Sequence, residues 1–156
     1  MIRVGPEDIT ELSAFPLKWR WLDDRYASFS EGERARIQPL RREKAEEMWR
    51  LSLESISKDH DLAIDPTGFE GVERVSSTDD VRPWLAGRLP IGRTPVLVSW
   101  TREWAVLTDA ELFTARWDDF CYPASDDVSV FAVDVAWVLH YWHEEEFLYV
   151  RRGITG

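Results

Sequence analysis

The chain reads as one α+β domain over residues 1–156, an antiparallel sheet of about five strands with a main helix, about 41–57, on one face. Three observations predict this. Apolar spacing follows a period of 3.6 in the first half and a period of 2 from Pro95 onward. A content of 44% hydrophobic and 31% charged residues belongs to a globular chain, not a disordered one. The eight prolines and eight glycines are scattered, so no stretch reads as a linker.

The helical half has clear start signals. Ser30-Glu31-Gly32-Glu33 has the spacing of a capping box, in which the serine accepts from the Glu33 amide and the glutamate reaches back. Pro39 biases Gln38 away from helical geometry and ends that short helix. From Arg41 to Ser57, Ala45, Met48, Trp49, Leu53 and Ile56 fall on one stripe, with Trp49 expected in the core. His60 to Gly71, with Pro66 and Gly68, reads as loop. A short helix follows, with Thr78 or Asp79 as its cap, Pro83 near its first turn, and Trp84, Leu85 and Leu89 facing inward.

The strand half begins with Pro95-Val-Leu-Val-Ser-Trp100 and Glu103-Trp-Ala-Val-Leu107, two apolar runs a hairpin's length apart. Thr108-Asp-Ala-Glu111 offers a second capping box, and Leu112, Phe113, Arg116, Trp117 and Phe120 continue at helical spacing. Cys121 to Asp127 is a loop. Val128–Val133, Ala136–Trp142 and Glu146–Arg151 then form a meander, and Trp19-Arg-Trp21 alternates as an additional edge strand would.

Charge is distributed unevenly along this layout. Between Asp109 and Glu146 lie ten acids and one base, Arg116, so this stretch holds −9 of the chain's net −10. A pI near 4.8 excludes binding a nucleic-acid backbone by charge. The one basic cluster, Arg34, Arg36, Arg41, Arg42 and Lys44, is interleaved with glutamates as on a solvated helix face. No run approaches the ~18 apolar residues that span a bilayer, so no membrane contact is expected. The first eight residues lack the basic start and apolar run of a secretory signal, and a lone Cys121 forms no internal disulfide, so a cytoplasmic location is expected.

The acidic stretch also holds the residues with chemistry. His140-Tyr-Trp-His143-Glu144-Glu145-Glu146 has the composition of a zinc or other divalent-metal site, but on a strand His140 and His143 differ by odd parity and point to opposite faces. Asp118-Asp119 and Asp126-Asp127 are carboxylate pairs that hold a hard cation only if they converge, whereas Ser125-Asp126-Asp127 is equally a turn cap. A Cys121, His140, Asp126 constellation is formally a nucleophilic set, although the surrounding acids raise a thiol's pKa. There is no phosphate loop, paired-cysteine motif or nucleophile elbow. The expected role is therefore binding without catalysis or cofactor. An acidic, aromatic surface of Asp118, Asp119, Asp126, Asp127, Trp142, His143, Glu144 and Glu145 would engage a basic protein partner. The alternatives are a divalent-metal-dependent enzyme built on the same carboxylates and histidines, and a structural, sheet-mediated homodimer.

Trp19-Arg-Trp21, Ile37-Gln-Pro39-Leu40 before a helix with Ala45 and Trp49, Trp117-Asp-Asp-Phe120, Ser125-Asp-Asp127 and Trp137-Val-Leu139 together resemble a family of small uncharacterised bacterial domains of unknown function. The resemblance covers about residues 17 to 152 and implies one compact α+β unit with no catalytic residues. In composition alone, acidic and rich in tryptophan, the chain is also similar to bacterial immunity proteins that neutralise toxins.

Overall fold

The computed structural model describes residues 1–54 and 69–152. Ile56, His60, Pro66 and Gly68 lie outside the described residues, as does the end of the expected main helix. Among the described residues, seven strands form one antiparallel sheet: β1 (Gln38–Pro39), β2 (Phe69–Ser76), β3 (Pro95–Ser99), β4 (Ala105–Asp109), β5 (Val128–Ala132), β6 (Trp137–Trp142) and β7 (Glu146–Arg152), in the order β1-β4-β3-β5-β6-β7-β2. The α+β class and the antiparallel sheet are as expected; the strand count is corrected from about five. The two additional strands are the edges. β1 is a two-residue fragment that includes Pro39 and is paired to β4, while β2 begins inside the expected loop, His60 to Gly71. Gly71 had pointed to a loop, but it lies in β2 beside a register shift against β7, where a strand tolerates glycine.

Among the described residues there are also two 3-10 turns, Pro6–Asp8 and Leu12–Ala14, and six α-helices, five of them short: α1 (Trp19–Leu22), α2 (Glu31–Ala35), α3 (Arg42–Leu53, the longest), α4 (Arg82–Ala86), α5 (Ala110–Ala115) and α6 (Trp117–Phe120). The Ser30 box forms with both bonds, Glu33 N to Ser30 Oγ at 3.1 Å and Ser30 N to Glu33 Oε1 at 3.0 Å. Three sequence expectations are corrected. Trp19-Arg-Trp21 is a helical turn, not an edge strand. The cap of α5 is Asp109, whose carboxylate accepts from Leu112 N at 2.9 Å, not Thr108. The helix expected through Phe120 breaks at Arg116, whose backbone leaves helical geometry at φ −124°, ψ 27°.

The sheet is covered on both faces. Side chains alternate across it, so Leu97, Ala105, Phe131, Val138 and Val150 face α3 with Ala45 and Met48. Val96, Val98, Val130, Leu139, Tyr141 and Phe147 face the opposite way, towards the larger core made by the N-terminal segment, α4, α5 and α6. Trp21 is fully buried there, among Phe15, Trp100 and Phe120 at ring distances of 5.9, 5.9 and 5.4 Å. Truncating a buried aromatic of this kind to alanine costs ~3–5 kcal/mol. Trp137 is core as expected, but Trp49 is only half-buried on the outer shoulder of α3, with the Arg102 guanidinium 4.8 Å from its ring.

Candidate functional site

Strand direction brings most of the acidic residues to one end of the sheet. There β3, β6 and β2 end and β5 and β7 begin, while α5 and α6 return across the larger core from the opposite end. The 121–127 loop with Asp126 and Asp127, and Trp142 to Glu146 at the end of β6 and in the β6–β7 turn, lie there, with Asp118 and Asp119 on α6 just before the loop. The loop and the turn are joined directly: Ala124 N donates to His143 O at 2.9 Å, and one Asp127 oxygen accepts from His143 N at 3.1 Å and lies 2.9 Å from His143 Nδ1. Asp109, Glu111 and Asp134 lie elsewhere, at the opposite end of β4 and in the β5–β6 turn. The sequence-contiguous acidic stretch is thus divided in space.

Folding also supplies bases that the local sequence lacks. Arg36 pairs with Asp109 and Glu111, Arg82 with Asp118, Arg20 with Asp126, and Arg74 with Glu146. Asp126 is consequently a structural residue and is withdrawn from the exposed set. It is 8% exposed and accepts from Arg20 Nη1 and Nη2 at 2.6 and 3.1 Å and from Tyr122 N at 2.9 Å. Arg20 in turn donates to Phe120 O at 3.3 Å, and the indoles of Trp21 and Trp100 donate to Asp119 O and Phe120 O at 3.0 and 2.9 Å. These contacts satisfy the last carbonyls of the single-turn α6, which has no further turn to do so.

Asp118, Glu144 and Glu145 are exposed, and Asp119, Asp127, Trp142 and His143 are half-buried. Glu144 and Glu145 form no ion pair among the described residues. Asp119 is the perturbed member of the group: burial, and secondarily the neighbouring Asp118, pushes its carboxyl up to about 6. Its nearest cation, Arg116 Nη1, is 3.9 Å away and already binds Glu33 through Nε and Nη2. The Asp119 charge is therefore incompletely answered.

The aromatic members of this surface differ from those the sequence nominated. Trp142 is present, its ring 4.3 Å from that of His143. The more exposed rings are Trp19 (36%) and Tyr26 (54%). Trp19 meets Tyr26 and Tyr122 edge-on at 4.8 and 5.4 Å, and the buried Arg20 guanidinium lies 4.0 Å from the Tyr122 ring. The Trp19-Arg-Trp21 alternation did carry a signal, one indole outward and one inward, but on a helical turn. Its meeting with Tyr122 is non-local and has no signature in either segment.

The sheet separates groups that chemistry would need together. His140 lies on the α3 face, 2.9 Å from Ser129 Oγ, whereas Cys121 lies in the core on the other face. Cys121 is fully buried, and that burial pushes its thiol well up, so it has neither the thiolate nor the access of a nucleophile. Among the described residues no three of His, Cys, Asp and Glu gather as metal ligands, and no helix is long and apolar enough to cross a membrane. Comparisons with protein-family models, curated proteins and solved structures give no match to this chain. The functional reading therefore rests on geometry.

Proposed function

We propose that the protein acts by binding, engaging a basic protein partner through the end of the sheet built from α1, α6, the 121–127 loop and the β6–β7 turn, in an immunity-type or regulatory role. The observation that carries the reading is the pairing of exposed rings, Trp19, Tyr26 and half-buried Trp142, with carboxylates whose charge the fold answers incompletely, Asp119, or leaves without an ion pair among the described residues, Glu144 and Glu145. Apolar area beside polar groups is the composition of a protein interface, and acids that desolvate favourably only against a cation select a basic partner. The Arg20–Asp126 clamp beneath Tyr122 holds the surface rigid, which limits the ordering cost of association.

The test is capture of a partner by crosslinking in the native cell, followed by association kinetics at graded salt. Glu144→Lys with Glu145→Lys should slow association, and raising salt until the screening length drops below ~10 Å should do the same. Trp19→Ala and Trp142→Ala should chiefly speed dissociation. Kinetics indifferent to both salt and these substitutions would remove the reading.

A further inference from the structure

The opposite end of the sheet carries a feature of the other sign. β7 runs from Glu146 in the acidic turn to Arg151 about 17 Å further along the strand. There β2, β7 and the end of α4 enclose a pocket of about 460 Å³ whose lining includes Gly71, Glu73, Gly87, Arg88, Tyr149 and Arg151. Gly71 is the register partner of Arg151 and Glu73 that of Tyr149, so the side chains of Glu73, Tyr149 and Arg151 emerge together on the face that α4 covers.

The charges in this pocket do not cancel. Arg88 is fully engaged: it donates to Glu73 at 2.7 and 3.1 Å and to Trp84 O at 3.1 Å, and its guanidinium lies 4.6 Å from the Trp84 ring. The Glu73 carboxyl, held below its ordinary range chiefly by that Arg88 hydrogen bond, is thereby answered. Arg151 makes no hydrogen bond or ion pair among the described residues; it feels Glu73 only at a distance, through a minor electrostatic attraction, so its donors remain unused on a chain of net charge −10. The Tyr149 hydroxyl spends its proton on a long 3.4 Å contact to Arg88 O, over a floor where its ring meets Trp84 and Trp137. A Cβ built at Gly71 would rest in ordinary van der Waals contact with Arg151 Nε and Nη2, at 3.9 and 4.0 Å, so the glycine borders the guanidinium directly and leaves room beside it.

We propose that this pocket binds a small oxyanion, a carboxylate or phosphate group carried by a small molecule, gripped by Arg151, with the Tyr149 hydroxyl turning from its long contact to Arg88 O to serve as a second donor. The guanidinium fork matches such a group in two parallel bonds, and the volume lies within the range of ordinary ligand pockets, roughly 300–1,000 Å³. The acidic surface stands beyond the screening length of about 8–10 Å at physiological salt, so its repulsion is weak here. The inference is independent of the partner-binding reading.

Arginine Nε–Hε NMR signals, followed while sodium phosphate, sodium acetate or sodium chloride is added at matched ionic strength, test it. The Arg151 signal should move saturably with phosphate or acetate, with a dissociation constant of about 1 mM or tighter, and not with chloride. A response to phosphate alone assigns a phosphorylated ligand, and one to acetate alone a carboxylate. Arg151→Gln should weaken binding about tenfold or more, and Gly71→Leu, which fills the space against Arg151 without changing the net charge, should do likewise while leaving distant amide signals in place. A shift reproduced by chloride, a titration that never saturates, or binding untouched by Arg151→Gln would overturn the assignment.

Discussion

Replacing Asp126 by alanine deletes the acceptor of four hydrogen bonds, from Arg20 Nη1 and Nη2, Tyr122 N and Ser125 Oγ. The Arg20 side chain, 5% exposed, keeps one hydrogen bond, to Phe120 O, and its ring contacts, since its Nε already lacks a partner. Leaving one member of a buried pair unanswered costs ~3–5 kcal/mol, a large part of the 5–15 kcal/mol that typically holds a domain folded. With a urea slope of about 2 kcal/mol per molar the midpoint should fall by about 2 M, and the thermal midpoint by roughly 10 °C. Arg20→Met combined with Asp126→Ala should be less damaging than Asp126→Ala alone, because no unpaired charge remains. Equilibrium urea melts of the two single variants and the double variant measure the coupling. A cost below about 1 kcal/mol for Asp126→Ala, or simple additivity in the double variant, would refute the clamp and return Asp126 to the exposed surface.

Asp119 gives stability an unusual sign with pH. Its folded carboxyl is raised from 3.8 to about 6, so between those values the folded state holds a proton that the unfolded state has lost. Stability contributed by this group therefore falls as pH rises through that window, and Asp119→Asn should flatten the fall and raise stability at neutral pH by roughly 1–2 kcal/mol. Urea melts across the window decide it, and an unchanged pH profile would count against a desolvated Asp119. At the β6–β7 turn, Glu144→Ala should change stability by no more than about 0.5 kcal/mol. Glu145 has φ +63°, and Glu145→Gly should stabilise by up to about 1 kcal/mol, whereas Glu145→Val should destabilise by more; the reverse order in thermal melts would show that the turn is not held left-handed.

The elements legible in the sequence are those whose signals are local. Ser30 and Glu33 cap each other within one turn, and the alternating runs at Pro95, Val128, Trp137 and Glu146 needed only the period-2 pattern to be read as strands. The misread elements depend on distant partners. Trp19-Arg-Trp21 has strand periodicity, yet it is helical because Trp21 and Arg20 reach the carbonyls that end α6, about a hundred residues away. The β2 edge carries Gly71 and three charged residues, a composition that reads as loop and that also guards an edge strand against unwanted pairing. Trp49 sits on the apolar stripe by spacing, but the stripe is wider than the contact that α3 makes, so its ring remains on the shoulder.

The same distinction governs the candidate surface. A run of acids in sequence fixes a composition but not a potential, because the potential depends on which bases the fold brings alongside. Four arginines from outside the stretch answer five of its ten acids, and they do so at different burial: Arg20–Asp126 is enclosed, while Arg82–Asp118 is open to solvent at 43% and 53% side-chain exposure. Only the second kind yields to a competing partner at small cost, since an exposed pair is worth ~0–1 kcal/mol and can be exchanged for an intermolecular one. A basic partner would thus meet Asp119, Glu144 and Glu145 directly and displace Arg82 from Asp118, leaving the Arg20–Asp126 clamp intact. Arg82→Ala should accordingly strengthen partner association by freeing Asp118, whereas weakening by the same change would place Arg82 itself within the contact.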